Sequence, residues 1–272
     1  MKHLRVFLIL IALLLAVSSA AIFTANAGAP VGRNALLPRA YLPMVARSGA
    51  PTPAPTPTAT PGPGNWTTLL EEGFETAPGP LWRFRDDNGA DFGAYQWGRR
   101  ACQPYTGDYS AWAVGGGADG ELLPCGSAYP ANAATTMIYG PFSLADAKMA
   151  QMRFRLRFDA KLPNDDFCWL ASDGVMAAGR CLNAQPIGWA TLDLDLGDLD
   201  PSTPGVSMLG KPQVWVGFRF TSDGAGHASE GPYVDDVVIR KCTDTTCAPI
   251  AAAGTAPGEV RVRPFRMLLN RQ

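Results

Sequence analysis

The chain has 272 residues, a formal net charge of −1 and six cysteines, and 47% of its residues are hydrophobic. A charge balance so close to neutral gives no general attraction to nucleic acid or to anionic membrane surfaces. Only part of the length carries the pattern of a folded domain, and the remainder divides into a targeting segment, a linker and a tail.

Residues 1–27 have the pattern of a secretory signal peptide. The basic residues Lys2 and Arg5 precede an apolar run over residues 6–17, and Ala25-Asn-Ala27 matches a small-x-small cleavage signal. The run is shorter than the roughly 20 residues that a membrane-spanning helix needs. We therefore predict cleavage, secretion and no stable membrane insertion afterwards; the alternative is an uncleaved anchor.

Residues 28–64 predict a linker. A short mixed segment with too few apolar residues for a core is followed, over residues 51–64, by a tract of proline and threonine that has no packing residues. Such tracts adopt an extended, semi-rigid polyproline II conformation, so this segment is expected to act as a spacer.

Residues 65–247 carry the pattern of one antiparallel β-sandwich, a jelly roll. Residues 152–159 alternate strictly between apolar and charged side chains, which predicts a strand with one buried face. Further strands are predicted over 110–114, 136–139, 166–172, 189–196 and 213–220, separated by turn residues. The basic tail, 248–272, is expected to be flexible; an edge strand or a docking peptide is the alternative.

The cysteines predict three disulfides, because an even number in an exported chain is typical of oxidised pairs. Six cysteines allow 15 pairings, and proximity along the sequence favours Cys102–Cys125, Cys168–Cys181 and Cys242–Cys247. The absence of a C-x-x-C motif argues against a zinc ribbon or a thioredoxin-like redox site.

Four acidic residues are candidate calcium ligands. Glu72 and Glu75 belong to the expected opening strand, and Asp235 and Asp236 interrupt the apolar closing strand. A buried carboxylate is costly unless it is paired or binds a metal. If the two strands are neighbours, these oxygens can converge on Ca²⁺. The alternative is that they lie on the solvated face of a strand.

Aromatic residues are candidates for ligand contacts. Trp82 and Trp97, beside a turn-rich loop, are predicted to form an exposed platform for a sugar ring, whereas Trp112 and Trp215 are assigned to the core or its edge. Catalysis is not expected: His227 is the only histidine after residue 27, and no H-E-x-x-H or G-x-S-x-G motif is present.

Six short motifs place aromatic residues beside glycines or acids: Phe74-Glu75, Tyr95-x-Trp-Gly98, Ser110-Ala-Trp-Ala-Val-Gly-Gly-Gly117, Tyr139-Gly-Pro-Phe-Ser143, Val214-Trp-Val-Gly-Phe218 and Tyr233-Val-Asp-Asp-Val237. Over roughly residues 66–241 the chain resembles bacterial extracellular jelly-roll domains. These are similar to MAM-type, concanavalin-like and carbohydrate-binding-module folds and to accessory domains of immune-inhibitor-A-type peptidases. The resemblance implies a structural calcium at the positions of Glu75 and Asp235.

These observations together predict a non-catalytic extracellular recognition module that binds a glycan or a surface protein and is braced by calcium. One alternative is a structural or protein-interaction domain accessory to a secreted or surface assembly. Another is a glycoside-active enzyme, which would need two carboxylates about 5–10 Å apart across a sugar site.

Overall fold

The computed structural model describes residues 65–160, 164–182, 187–200, 205–225, 228–247 and 262–268. The predicted signal peptide, the proline-rich linker and His227 lie outside these ranges. Within the ranges, no helix has the length and apolar character that crossing a membrane requires.

The described part of the chain is built almost entirely of β-strands, with a 3₁₀ turn at Ala90–Phe92 and one helical turn at Gly117–Gly120. Its twelve strands are β1 (Trp66–Glu72), β2 (Trp82–Asp86), β3 (Gln96–Arg100), β4 (Ser110–Gly116), β5 (Ala134–Phe142), β6 (Met149–Asp159), β7 (Asp166–Ser172), β8 (Met176–Leu182), β9 (Ile187–Asp195), β10 (Val214–Thr221), β11 (Gly231–Cys242) and β12 (Val262–Leu268).

The strands form two antiparallel sheets. Sheet A has the order β3-β4-β11-β6-β9, and β1 also pairs with β11; sheet B has the order β12-β8-β7-β10-β5-β2. Strand β6 follows one edge of β11, while β4 and β1 share the other edge. The predicted antiparallel β-sandwich is confirmed, and β1 and β11, the opening and closing strands predicted from sequence, are direct neighbours.

The core lies between the sheets and is dominated by aromatic rings. Alternation along β6 buries Phe154 completely, as expected for a strand with one solvated face. The Phe154 ring meets two rings of sheet B, with centroids 4.8 Å from Phe218 and 6.3 Å from Phe167. Edge-to-face contacts of this kind add to the free energy gained from burying the rings.

All three predicted disulfides are present. Cys102 pairs with Cys125, Cys168 with Cys181, and Cys242 with Cys247. Cys168 and Cys181 are directly opposite each other on β7 and β8, with their Cα atoms 4.0 Å apart. This pair joins neighbouring strands of sheet B.

The expectation of a flexible tail is wrong for residues 262–268, which form the edge strand β12 beside β8. The edge of β8 offers unpaired backbone N–H and C=O groups, which the tail segment satisfies. The register places Phe265 and Met267 opposite Gly179 and Ala177. Residues 248–261, which precede this strand, lie outside the described ranges.

Replacement of Phe154 by alanine should lower the free energy of unfolding by about 3–5 kcal/mol, because it leaves a cavity between the sheets. Phe92→Ala is the matched control: this ring is 48% exposed, so its loss should cost about 0.5 kcal/mol or less. Urea denaturation of both variants gives the comparison. Similar losses for the two would contradict the assigned core.

Candidate functional site: a groove on sheet B

The outer face of sheet B contains a groove of about 580 Å³, within the range typical of ligand sites. Its floor is a row across five strands in which Phe265, Leu170 and Ile138 line the groove, and the register places Gly179 and Gly217 between them. Large side chains therefore alternate with glycines that have none. The missing side chains leave a depression between apolar neighbours.

Glycine is required at both floor positions. A Cβ atom at Gly217 would lie 2.9 Å from the carbonyl oxygen of Met137, and one at Gly179 would lie 2.1 Å from the carbonyl oxygen of Trp169. Any larger residue at Gly179 would displace the neighbouring backbone. The two glycines therefore have two effects: they let the strands approach closely, and they leave the floor of the groove open.

Trp215 lies in the next row of the groove, which runs from Met267 through Ala177 and Ser172 to Trp215. Its indole is half-buried and lines the groove. A Cβ atom added at Gly174 would lie 3.3 Å from Trp215 Cζ3, so the turn after β7 lies against the indole edge. Trp215 and Met267 therefore give this row an aromatic and an apolar contact surface.

A charged cluster lies at the other end of the groove. The carboxylate of Asp87 accepts a short hydrogen bond from Thr136 Oγ1. It also lies 3.3 Å from Arg85 Nη2 and 3.9 Å from Arg219 Nε. One carboxylate is therefore shared by two guanidinium groups, and the cluster carries a net positive charge.

The structure does not place Trp82 and Trp97 on a binding surface. The prediction that they form an exposed platform is wrong, because Trp82 is 5% and Trp97 2% exposed. Their strands turn both indoles into the sandwich: Trp82 packs against Phe74 with ring centroids 5.8 Å apart, and Trp97 packs against Phe218 at 6.3 Å. Trp82 Nε1 also donates to Glu72 at 3.2 Å.

Trp215, predicted to lie in the core or at its edge, is the indole that the groove exposes. A signal for this was present in the sequence. If Val216 and Phe218 face the core, the period of two in a strand turns Trp215, Gly217 and Arg219 outward. The structure confirms that alternation, with Val216 and Phe218 fully buried.

Asp235 and Asp236 lie at a bulge in β11. Asp235 pairs with Arg155, and Val238 pairs with Arg153. Between these two pairs, residues 236 and 237 of β11 face the single residue 154 of β6, which defines the bulge. Asp236 has a φ of 47°. Asp235 is fully buried. Its carboxylate accepts hydrogen bonds from the backbone N–H groups of residue 105 at 2.8 Å, residue 106 at 3.2 Å and residue 236 at 2.8 Å.

Glu75 holds the same loop, which joins β3 to β4, from the other side. Its carboxylate accepts hydrogen bonds from the N–H groups of Asp108 at 3.0 Å and Tyr109 at 3.1 Å. Gly107 immediately precedes Asp108 in this loop and has a φ of 63°. A Cβ atom at this position would lie 2.3 Å from the carboxylate carbon of Glu75. Glu72 accepts from the N–H of Phe74 at 2.7 Å.

The four predicted calcium ligands thus lie around neighbouring segments, where they accept hydrogen bonds. Among the described residues, no three Asp, Glu, His or Cys side chains are grouped so that they could hold a metal ion. The calcium site remains a prediction. One observation is compatible with a cation there: the hydrogen bonds that Asp235 accepts come from backbone N–H groups, which carry no full charge.

Burial is the largest influence on the pKa of Asp235, since it favours the neutral acid. The hydrogen bonds from backbone N–H groups act in the opposite direction, and the charge of Asp236 adds a smaller rise. Together they raise the pKa of Asp235 from 3.8 to about 6.

No protein-family model and no curated protein matches this chain. Among solved structures, a CBM22-1 xylan-binding domain of Paenibacillus barcinonensis Xyn10C is 13% identical, with a TM-score of 0.41, over 68% of this chain and 100% of that one. The K1 cleaved adhesin domain of Lys-gingipain from Porphyromonas gingivalis W83 is 17% identical, with a TM-score of 0.40, over 65% and 98%. TmCBM61 in complex with β-1,4-galactotriose is 12% identical, with a TM-score of 0.38, over 62% and 93%.

The raised pKa of Asp235 predicts a specific pH dependence of stability in the presence of chelator. A folded-state pKa of about 6 against 3.8 when unfolded means that the folded state binds the proton more tightly. The stability contributed by the protonated Asp235 is fully present below about pH 4 and is lost as the pH rises through about 6, by on the order of 3 kcal/mol. Asp235→Asn should lack this component in urea denaturation. Parallel pH profiles for the two proteins would contradict it.

Proposed function

We propose that this chain is a non-catalytic extracellular recognition module that binds a glycan in the groove on sheet B. The observation that carries the proposal is the apolar groove of about 580 Å³ lined by Trp215 and Phe265. Ligand sites of this size combine apolar and aromatic walls with a few polar groups that fix orientation. The C–H faces of sugar rings pack against such aromatic planes, and the cluster around Asp87 supplies polar contacts.

The acidic residues of the groove favour binding over hydrolysis. Glycoside hydrolysis uses two carboxylates about 5–10 Å apart across the sugar. Asp87 is the only acid among the described residues that line the groove. It also accepts a hydrogen bond from Thr136, which suits a structural role. A second carboxylate that could act as nucleophile or base is thus missing from the described lining.

An extracellular location is part of the proposal. The three disulfides, Cys102–Cys125, Cys168–Cys181 and Cys242–Cys247, form and persist in oxidising compartments. The signal peptide predicted over residues 1–27 would direct the chain to such a compartment.

Calcium bound near the bulge of β11 is proposed as a brace of sheet A. Asp235 and Asp236 would supply carboxylate oxygens, with Glu72 and Glu75 on the adjacent segment. Asp235 Oδ1 accepts one N–H group, from residue 236 at 2.8 Å, so one of its two lone pairs has capacity for a cation. Calcium accepts six to eight oxygens in a flexible geometry. The ion would compensate the buried charge of Asp235.

Trp215→Ala should weaken glycan binding at least about fivefold, because a stacked aromatic ring contributes roughly 1 kcal/mol or more. The measurement is affinity electrophoresis or pull-down of the secreted protein against a panel of soluble and insoluble polysaccharides. Trp189→Ala is the matched control, since this half-buried indole is on sheet A and packs against Tyr105.

Equal losses for the two tryptophan variants would place the binding site elsewhere. Binding of the folded wild-type protein to no polysaccharide would overturn the glycan proposal. The structural or protein-interaction alternative would then be the better account.

If calcium braces sheet A, Asp235→Asn should lower the melting temperature clearly in calcium and only a little in chelator, where hydrogen bonds from backbone N–H groups are all that it loses. The reason is that the variant removes a ligand whose benefit depends on the ion. Asp91→Asn, at an exposed position of the 3₁₀ turn, is the charge-matched control and should have little effect in either buffer. Equal destabilisation by Asp235→Asn in both buffers would rule out the calcium site.

A further inference from the structure

The outer face of sheet B carries an excess of positive charge around the groove. By strand register this face bears four arginines and two aspartates: Arg83, Arg85, Arg219, Arg263, Asp87 and Asp166. A further pair, Lys211 and Asp173, is balanced, with its charged atoms 2.9 Å apart. The whole chain has a net charge of −1, so the positive patch differs in sign from the protein that bears it.

Two of these arginines line the groove and have hydrogen-bonding capacity left over. Arg219 Nε is 3.9 Å from Asp87, which exceeds hydrogen-bond distance. The Arg85 side chain is 62% exposed and the Arg219 side chain 34% exposed. A guanidinium group has five N–H donors in a planar fork that matches a carboxylate or a sulfate. Asp87 therefore orients both groups without saturating them.

The aromatic residue Trp215 and the charged residue Arg219 lie at different positions along the groove. Trp215 and Arg219 are four residues apart on β10 and face the same side, a distance of roughly 13 Å at about 3.3 Å per residue. That span is longer than a single sugar ring. A ring packed on Trp215 and an anionic group beside Arg219 must therefore belong to different units of an oligosaccharide.

We propose that the groove selects an acidic oligosaccharide, packing a sugar ring on Trp215 and binding a carboxylate or sulfate group with Arg85 and Arg219. This inference rests on the glycan-binding function proposed above and specifies its ligand class. The anionic group is either the carboxylate of a uronic acid or a sulfate ester, since both present oxygens that a guanidinium fork can bind.

The test compares the affinity of the secreted protein for polygalacturonate, fully methyl-esterified polygalacturonate, a neutral galactan, a sulfated galactan and poly-glutamate. The esterified polymer keeps the sugar backbone and removes the charge. We expect at least about tenfold tighter binding to polygalacturonate or to the sulfated galactan than to the neutral polymers, as charge-assisted hydrogen bonds require. Which of the two binds more tightly identifies the anionic group. This preference should weaken as salt is added.

The double variant Arg85→Gln/Arg219→Gln should lose the preference, so that its affinity for the acidic polymers falls to its affinity for the neutral ones. The double variant Arg85→Lys/Arg219→Lys keeps both charges but loses the planar set of guanidinium donors, so it should retain only part of the preference for acidic polymers. Lys148→Gln removes one exposed charge elsewhere and should have no effect. Melting temperatures of all variants test whether each remains folded.

The outcomes separate this inference from the function on which it rests. Equal affinity for acidic and neutral polysaccharides, unchanged in the Gln double variant, would overturn the acidic-ligand inference and leave glycan binding intact. Equal affinity for poly-glutamate and polygalacturonate would also overturn it, because charge alone would then be recognised. Binding to none of the polysaccharides would overturn the glycan-binding function itself.

Discussion

The buried carboxylate of Asp235 is the constraint on which the architecture of sheet A depends. Strand β11 pairs with β4 through Tyr233 and Val234 and with β1 from Val237 onward. The bulge lies between these two pairings, and the carboxylate there receives the N–H groups of the loop between β3 and β4. A single side chain thus fixes the point at which β11 changes neighbour. Because an unpaired buried carboxylate is costly, that loop and the bulge stabilise each other.

The same alternation that builds the core of sheet B also builds its outer face. Along β10, Phe218 packs between the sheets while Arg219 and Trp215 point away from them. A shift of one residue in the register of β10 would exchange these sets. The free energy of burying the aromatic core therefore also positions the groove residues. A rigid sheet presents such residues more accurately than a mobile loop would.

Much of the fold was predictable because it depends on local patterns. The alternation in residues 152–159 identified β6, and the spacing of the cysteines identified the disulfides. The adjacency of β1 and β11 was the condition on which the calcium hypothesis depended, and the structure meets it. Trp82 and Trp97 were misjudged because proximity to a turn does not tell which face of a short strand an indole occupies.

The groove could not be predicted from these local patterns. Its floor requires the register of five strands that are far apart in sequence, with Gly179 and Gly217 aligned beside Leu170. One of its walls comes from β12, which was predicted only as the alternative to a flexible tail. Such contacts are set by tertiary pairing and not by local propensity. Predicting the residues of a site on a sheet face therefore requires the strand order first.

The composition of β12 has a consequence for how the protein behaves among its own copies. An exposed sheet edge is a template on which other chains can add strands and aggregate. Strand β12 covers the edge of β8 and becomes the new border of the sheet. Pro264 has no backbone N–H to offer, and Arg263 and Arg266 place charge along that border. Strand β12 thus resists edge-to-edge growth of the sheet, which keeps copies of the protein from associating through this border.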